Sequence, residues 1–161
     1  MCVVDMRILA QLTLVFAVAS LGLAADEARE SQSDDVREAV FRWQFEHHNA
    51  PAQLTNAQVY FLELGPSADD PTDEFLKRFD GHKPPVRKGS SCIVNGSAMD
   101  KKTGERGIIF RITSIVWQSD STVEVNAGYY EGGLSVRGSL YILKREKRKW
   151  RVTGERITVE S

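Results

Sequence analysis

His47 is the residue whose type and position most favour chemistry in this sequence. It follows Trp43 by one turn on the apolar face of a predicted helix, so a pocket on that face would contain a ring that titrates near neutral pH. Such a histidine can act as a general base or as a polar anchor. The alternative is a histidine near a helix C-terminus, favoured there by the helix dipole and hydrogen-bonded to a backbone carbonyl.

Metal binding and covalent catalysis have less support. His47 and His48 are adjacent, so their side chains leave a helix about 100° apart, and no third ligand follows at a suitable spacing. Cys92 with a histidine would offer a nucleophile and a base, but its strand-like neighbours Ile93 and Val94 favour a buried, inert thiol. No phosphate-loop, dinucleotide, Gly-x-Ser-x-Gly or His-Glu-x-x-His pattern is present. The sequence predicts no metal and no cofactor. It leaves open whether the protein is an enzyme and favours a non-enzyme.

The charges are segregated along the chain. Residues 26–74 carry a formal net charge of −9, and residues 75–161 carry +8. An acidic helical half lying on a basic sheet half explains this pattern, and a basic face for an anionic partner is the alternative. The densest basic stretch, residues 144–151, contains Trp150 as its only aromatic side chain, which favours a soluble hairpin turn over a nucleic-acid site. We therefore expect no nucleic acid among the partners.

Residues 1–25 are predicted to be a secretory signal peptide. Arg7 precedes an apolar run, Ile8 to Leu23, and small residues follow at the cleavage site. The run has about 16 residues, fewer than the roughly 20 that span a bilayer. The sequence thus predicts a secreted or periplasmic protein with no membrane span after cleavage. Met6 is an alternative to Met1 as the true start.

One α+β domain is predicted over residues 34–161, after a polar linker at 26–33. Its first helix begins after Ser33, a favourable N-cap, and ends near His48. A second short helix is predicted after Asp70, which would cap it.

The first helix carries two apolar patches. Val36, Val40 and Trp43 share one face, and Phe41 and Phe45 lie on nearly the opposite face. One patch would cover a sheet, so the second must contact a loop, the next helix or a partner. Phe41 and Phe45 are therefore a candidate interaction patch, and a homodimer stays open.

The remainder of the chain is predicted to be mostly strands. Residues 57–64 and 92–94 precede four longer strands joined by short links, which predicts an antiparallel meander. Its strands are Ile108 to Trp117, Thr122 to Tyr130, Leu134 to Leu143 and Lys149 to Val159. The alternation of apolar residues slips between Ile112 and Ile115, and again at Gly154, which predicts β-bulges and hence a strongly curved sheet.

This pattern of elements resembles the cystatin-like group and, within it, the nuclear transport factor 2-like (NTF2-like) domains. The resemblance rests on the long helix with Val40 and Trp43, on the hairpin end Tyr129-Tyr130-Glu131-Gly132, and on the final hairpin with Trp150. It implies an amphipathic helix packed on a strongly curved antiparallel sheet, with a second short helix. It also implies a cone whose mouth holds a ligand or an active site, or is filled by side chains.

Three functions follow as expectations. The first is a secreted or periplasmic non-enzymatic binding domain for an unknown small molecule or protein. The second is an enzyme of the NTF2-like kind, with His47 as the base and with Tyr129 or Arg137 orienting a substrate, so that Trp43, His47, Tyr129 and Arg137 form the candidate pocket. The third is an inhibitor or immunity-type protein that blocks a partner enzyme.

Overall fold

The computed structural model describes residues 29–48, 57–133 and 135–160. Contacts between Cα atoms divide the chain into two compact units, Met1–Asp34 and Asp35–Ser161. The predicted signal peptide, residues 1–25, lies outside the described residues. Within the described part of the chain, no helix is both long enough and apolar enough to cross a membrane.

Helix α1 covers residues 29–47 of the described chain and is already present before its predicted start. Ser33 is therefore not an N-cap. Its Oγ donates to the Arg29 carbonyl one turn back, at 3.0 Å, as a serine inside a helix commonly does. Residues 29–33, predicted as part of a linker, are therefore the first residues of α1 that the structure describes.

A six-stranded sheet is the main element of the fold, with a separate two-stranded sheet beside it. In chain order the strands are β1 (Val59–Leu64), β2 (Val86–Lys88), β3 (Cys92–Val94), β4 (Ala98–Asp100), β5 (Gly107–Ser119), β6 (Thr122–Gly132), β7 (Ser135–Glu146) and β8 (Lys149–Glu160). The large sheet has the open order β2-β1-β5-β6-β7-β8, and β3 pairs with β4.

The large sheet is mixed, whereas the sequence predicted an antiparallel one. The antiparallel meander is confirmed from β5 to β8. β1, however, runs parallel to both of its neighbours, β2 and β5. Parallel neighbours need long crossover connections, and residues 65–85 and 65–106 supply them. The fold class is therefore α+β with a helix packed on an open mixed sheet.

Where the sequence predicted a second helix, the chain has a helical stretch of five residues, Asp73–Lys77, named α2 here. Its cap is Thr72, whose Oγ1 accepts from the Phe75 N–H at 3.1 Å. Asp70, the predicted cap, accepts instead from the Ser90 N–H at 2.8 Å and so ties this segment to the turn after β2.

Two apolar clusters cover the large sheet, one on each face, and the two overlap at strands β1 and β5. The larger apolar cluster joins α1 and α2 to one face, here called the α1 face, on which Tyr60, Phe110, Tyr129 and Tyr141 lie. The smaller cluster joins β4 to the opposite face of β1 and β5 through Ala98. β1 is therefore buried on both sides, which explains its continuous apolar sequence.

Both predicted β-bulges are confirmed as shifts in strand register. One lies on β5 between Ile112 and Ser114, where the apolar alternation slips. The other lies on β8 beside Gly154, where two residues of β8 advance for one of β7. Three further shifts were not predicted: one on β5 between Trp117 and Ser119, one in the pairing of β7 with β8 beside Gly138, and one on β6 between Tyr130 and Gly132. The last leaves Glu131 out of the regular ladder with β7.

Candidate functional site

The buried face of α1 is wide and is centred on Gln44. Val36, Val40, Phe41 and Gln44 are each at most 2% exposed. At about 100° per residue, Gln44 lies about 80° from Val36 and about 60° from Phe41 around the helix. The two patches predicted from the sequence are therefore the two flanks of one buried face, and a polar residue lies between them.

Phe41 and Phe45 lie inside the chain and do not form an exposed patch. Phe41 is fully buried, and its ring lies 6.2 Å from that of Phe75 and 6.4 Å from that of Phe79. Phe45 is partly buried, with ring centroids 4.8 Å from Tyr60 and 5.0 Å from Phe110. The segment around α2 and the sheet cover this flank of α1, so its contact is the next helix, one of the three options that the sequence left open.

His47 is exposed and stacks on Trp43. Their ring centroids are 3.8 Å apart, with an angle of 11° between the planes. The Nδ1 atom of His47 lies 2.9 Å from the Trp43 carbonyl oxygen, so the ring contacts its own helix one turn back. The sequence analysis gave two possibilities for His47, a base in a pocket or a histidine hydrogen-bonded to a carbonyl near the end of its helix. The contact with the Trp43 carbonyl corresponds to the second.

His48, one residue later, is the histidine that contacts the α1 face. Its Nε2 lies 3.0 Å from the Tyr60 hydroxyl. Its ring centroid lies 5.7 Å from that of Phe110 and 6.1 Å from that of Tyr129. Burial lowers the pKa of His48 below its usual 6.5, which favours the neutral ring with one donor and one acceptor nitrogen.

Tyr129 and Arg137 are brought together by the pairing of β6 with β7. They are directly opposite each other in the register, and the Arg137 guanidinium forms a hydrogen bond with the Tyr129 hydroxyl. Burial raises the pKa of Tyr129, and this contact with Arg137 opposes the rise. The guanidinium also faces Glu155 at 3.6 Å and Glu160 at 3.7 Å on β8, so its charge is balanced within the chain.

Glu131 brings a carboxyl group to the same region. The bulge of β6 places it between two ladder positions, and it is 4% exposed. Burial raises its pKa, although a hydrogen bond from Ser135, at 3.3 Å, and the positive charge of Arg106 act in the opposite direction. Glu131 in turn helps burial to raise the pKa of Tyr60, so the two side chains are electrostatic neighbours.

Gln44 reaches the sheet at Tyr141 on β7. Tyr141 is 3% exposed, and burial, together with the charge of Glu155, raises its pKa to about 12. The Gln44 amide interacts with this hydroxyl and opposes the rise, but neither of its polar atoms has a partner with good hydrogen-bond geometry. Ser139 completes the group by donating to Glu155 at 2.8 Å.

Five of these residues contain buried polar atoms without a hydrogen-bond partner, and we call them the polar cluster. The atoms are Trp43 Nε1, Gln44 Nε2 and Oε1, His48 Nδ1, Glu131 Oε1 and Arg137 Nε. Across the described ranges, these are the only buried side-chain nitrogen and oxygen atoms left unpaired. Such atoms are rare in native proteins, and these six belong to α1, to His48 directly after it, and to β6 and β7, so we take the five residues as the candidate site.

Two other predicted features lie elsewhere. Cys92 is a free, partly buried thiol that packs on the smaller apolar cluster, and burial is the main cause of its raised pKa. The described residues contain no group of three or more histidine, cysteine, aspartate or glutamate side chains that could hold a metal ion. The side chains of the polar cluster can form hydrogen bonds and transfer protons.

Comparison with family models, with curated proteins and with solved structures gives no significant match to this chain. The candidate site consequently rests on its own geometry.

The polar cluster includes three residues that the sequence reasoning missed: Gln44, His48 and Glu131. The sequence contains a pattern that could have identified each of them. Val36, Val40, Gln44 and His48 follow one another at intervals of four, so polar side chains continue an apolar stripe of the helix. Glu131 continues the alternation of buried residues along β6 after Ala127 and Tyr129.

Proposed function

We propose that this protein is a non-enzymatic binding domain that holds a small molecule against the α1 face of its sheet, at the polar cluster. The observation that carries the proposal is that six buried polar atoms, from α1, His48, β6 and β7, have no hydrogen-bond partner within the chain. A ligand site needs a few polar groups set among apolar walls, and the rings of Tyr60, Phe110 and Tyr129 supply walls around His48.

A set of four small ring compounds tests this function. Benzamide, benzoate, benzylamine and toluene share one ring and differ in charge and hydrogen-bonding groups. We expect at least one of them to shift the indole N–H resonance of Trp43 in a saturable way when added to the ¹⁵N-labelled protein. The variant Gln44→Leu should weaken that binding, and Gln58→Leu, a matched change at an exposed glutamine, should leave it unchanged. If no compound shifts the Trp43 signal, the proposal fails.

We also propose that the domain is of the cystatin-like or NTF2-like type with a strongly curved sheet. The packing of α1 on one face of a four-stranded antiparallel meander supports this proposal, as do the bulges on β5, β6 and β8, since bulges bend and twist strands. The parallel strand β1 between β2 and β5 departs from the predicted pattern. Secretion or a periplasmic location, proposed from the apolar run between Ile8 and Leu23, is compatible with a single thiol, Cys92, in the mature domain.

Acid–base catalysis is the second candidate function, and His48 is the observation that favours it. A neutral imidazole can act as a general base, and here it contacts the hydroxyl of Tyr60, which is itself an electrostatic neighbour of Glu131. His47, the base expected from the sequence, is exposed and contacts its own helix.

The elimination of 5-nitrobenzisoxazole tests this second function without a known substrate. A base removes the proton from the ring carbon, the nitrogen–oxygen bond breaks, and a coloured cyanophenolate forms. We expect the purified protein to accelerate this reaction with a rate that falls below pH 6.5, and His48→Gln to remove the acceleration while His47→Gln keeps it. Equal rates for the His48→Gln variant and the unaltered protein would exclude the catalytic role.

A further inference from the structure

The face of the large sheet opposite α1, here called the far face, carries an open groove. The hairpin of β3 and β4 packs on this face mainly over β1 and β5, through the smaller apolar cluster. Beside the hairpin, over β5, β6 and β7, lies a groove of about 620 Å³ that is open to solvent. This volume is within the range of small-molecule sites, so the far face has room for a ligand.

Two glycines form the floor of the groove. Gly128 on β6 and Gly138 on β7 lie directly opposite each other. In the same row, Arg111 precedes them on β5 and Val159 follows on β8. Neighbouring strands lie about 4.8 Å apart, so a trough of roughly 14 Å without a side chain of this row separates the backbones of Arg111 and Val159. A Cβ atom at Gly128 would lie 2.4 Å from the Arg137 carbonyl oxygen, so the packing of β6 on β7 keeps the trough free of a side chain there.

Apolar side chains border the trough. The next row of the far face on one side of it consists of Ile109, Tyr130 and Val136. Val94 on β3 and Val159 on β8 also line the groove, and they are 53% and 55% exposed. Burial of such side chains is favourable in proportion to the apolar area that leaves water, so the groove favours an apolar group.

Arg111 places a positive charge at the β5 end of the trough. Its Nε and Nη2 atoms donate to a single oxygen of Glu63, Oε2, at 2.7 and 2.5 Å. The edge between Nη1 and Nη2 has no partner among the described residues, and the side chain is 43% exposed. The polar neighbours are already paired: the Thr113 hydroxyl donates to the Asn126 carbonyl at 3.1 Å, and the Asn126 amide donates to the Ser114 hydroxyl at 3.0 Å. A carboxylate fits the free guanidinium edge with two parallel hydrogen bonds.

We propose that this groove binds a small amphipathic carboxylate, with its carboxylate on Arg111 and its apolar chain lying over the two glycines towards Val159. The residues that line the groove include no aspartate or glutamate that would repel the carboxylate. The side-chain-free trough accommodates a straight chain along its length. This site lies on the opposite face of the sheet from the polar cluster, so the proposal does not depend on the binding function proposed above.

Four probes test the ligand class at pH 7: octanoate, octanol, octylamine and acetate. The first three share one chain and differ in the head group, and acetate keeps the carboxylate without the chain. In the ¹⁵N-labelled protein, we expect octanoate to shift the amide resonances of Gly128 and Gly138 in a saturable way and to leave the Trp43 indole resonance unshifted. Its dissociation constant should be at least about tenfold lower than those of the other three, because it alone makes both interactions.

Variants at the two ends of the trough locate the ligand. Arg111→Gln should raise the octanoate constant at least about tenfold and leave the octanol constant within about twofold. Val159→Asn should raise both constants by about threefold or more, because each ligand loses apolar contact. The matched control is Val116→Asn, at a half-exposed valine outside the groove lining, which should leave both constants unchanged.

The order of affinities decides the outcome. Octanol or octylamine binding as tightly as octanoate would overturn the carboxylate, and acetate binding as tightly would overturn the apolar chain. If octanoate leaves Gly128 and Gly138 unshifted, the proposal fails, whatever the result for the polar cluster. If Arg111→Gln does not fold because Glu63 loses its partner, the four affinities and the comparison of Val159→Asn with Val116→Asn still decide.

Discussion

Replacing Gln44 with leucine measures what the polar cluster costs the fold. Gln44 is 2% exposed and both of its amide atoms are unpaired. A buried donor or acceptor without a partner costs about 1–3 kcal/mol, so the lower limit for the two atoms is about 2 kcal/mol. Leucine has a similar volume and removes both atoms. It also removes the interaction with the Tyr141 hydroxyl, but that contact lacks good hydrogen-bond geometry, so its loss costs less than the roughly 1 kcal/mol of a full hydrogen bond. We therefore expect the unfolding free energy of Gln44→Leu to rise by about 1 kcal/mol or more.

Urea unfolding of the purified protein at pH 7, followed by tryptophan fluorescence, measures this change. The slope of free energy against urea should be the same for the unaltered protein and the variant, because both bury the same surface. The matched control is Gln58→Leu, at an exposed glutamine, which should stay within about 0.5 kcal/mol of the unaltered protein.

A loss of stability in Gln44→Leu would refute the reasoning. If the variant loses about 1 kcal/mol or more while Gln58→Leu is unchanged, the Gln44 amide contributes hydrogen bonds that stabilise the fold. Gln44 would then no longer belong to the polar cluster.

Three further changes test other parts of the structure. Glu131→Gln should stabilise the protein at pH 7, because burial raises the pKa of Glu131 and the charged carboxylate therefore disfavours the folded state. This gain in unfolding free energy, measured by urea unfolding, should shrink as the pH falls towards 4.5. A gain that does not change with pH would contradict this cause. Backbone N–H groups and Arg87 lower the pKa of Asp100 from 3.8 to about 2, so the stabilisation that its carboxylate provides is lost as the pH falls through that range. In Asp100→Asn the unfolding free energy should therefore depend less steeply on pH between about pH 4 and pH 2. The same dependence as in the unaltered protein would exclude Asp100 as the cause. Phe41→Ala should lower the unfolding free energy by about 3–5 kcal/mol in the same assay, because the ring is fully buried. The control Ile93→Ala, at a half-exposed position, should stay within about 0.5 kcal/mol of the unaltered protein. Similar losses in the two variants would contradict the burial of Phe41.

Local patterns were sufficient to predict most of the sheet. Alternating residues and short links predicted β5 to β8, and slips of that alternation predicted the bulges near Ile112 and Gly154. The parallel pairing of β1 could not be predicted in this way, because it depends on where the chain returns after a long connection. Strand β2 was missed because it follows Pro84-Pro85 and is only three residues long.

The site was harder to predict, because it depends on how far around α1 the buried face extends. Trp43 and His47 lie on one side of that face, and the sequence reasoning centred the face near them. The packing of Phe41 and Phe45 against the α2 segment and the sheet moves the centre to Gln44 and brings His48, not His47, to the sheet. Tyr129 and Arg137, both named as candidate pocket residues, lie opposite each other because strand pairing over a short link fixes their register.

A ligand that pairs atoms of the polar cluster should stabilise the folded state. A buried donor or acceptor without a partner costs about 1–3 kcal/mol, so each hydrogen bond that a ligand forms with one of these atoms removes part of that cost. The folded state therefore gains from any molecule that pairs these atoms, and a ligand that binds only the folded state at 100 times its dissociation constant adds about 2.7 kcal/mol. Benzamide at saturation should consequently raise the urea midpoint of the unaltered protein and have little effect on that of Gln44→Leu. Equal shifts in the two proteins would mean that the amide of Gln44 takes no part in binding.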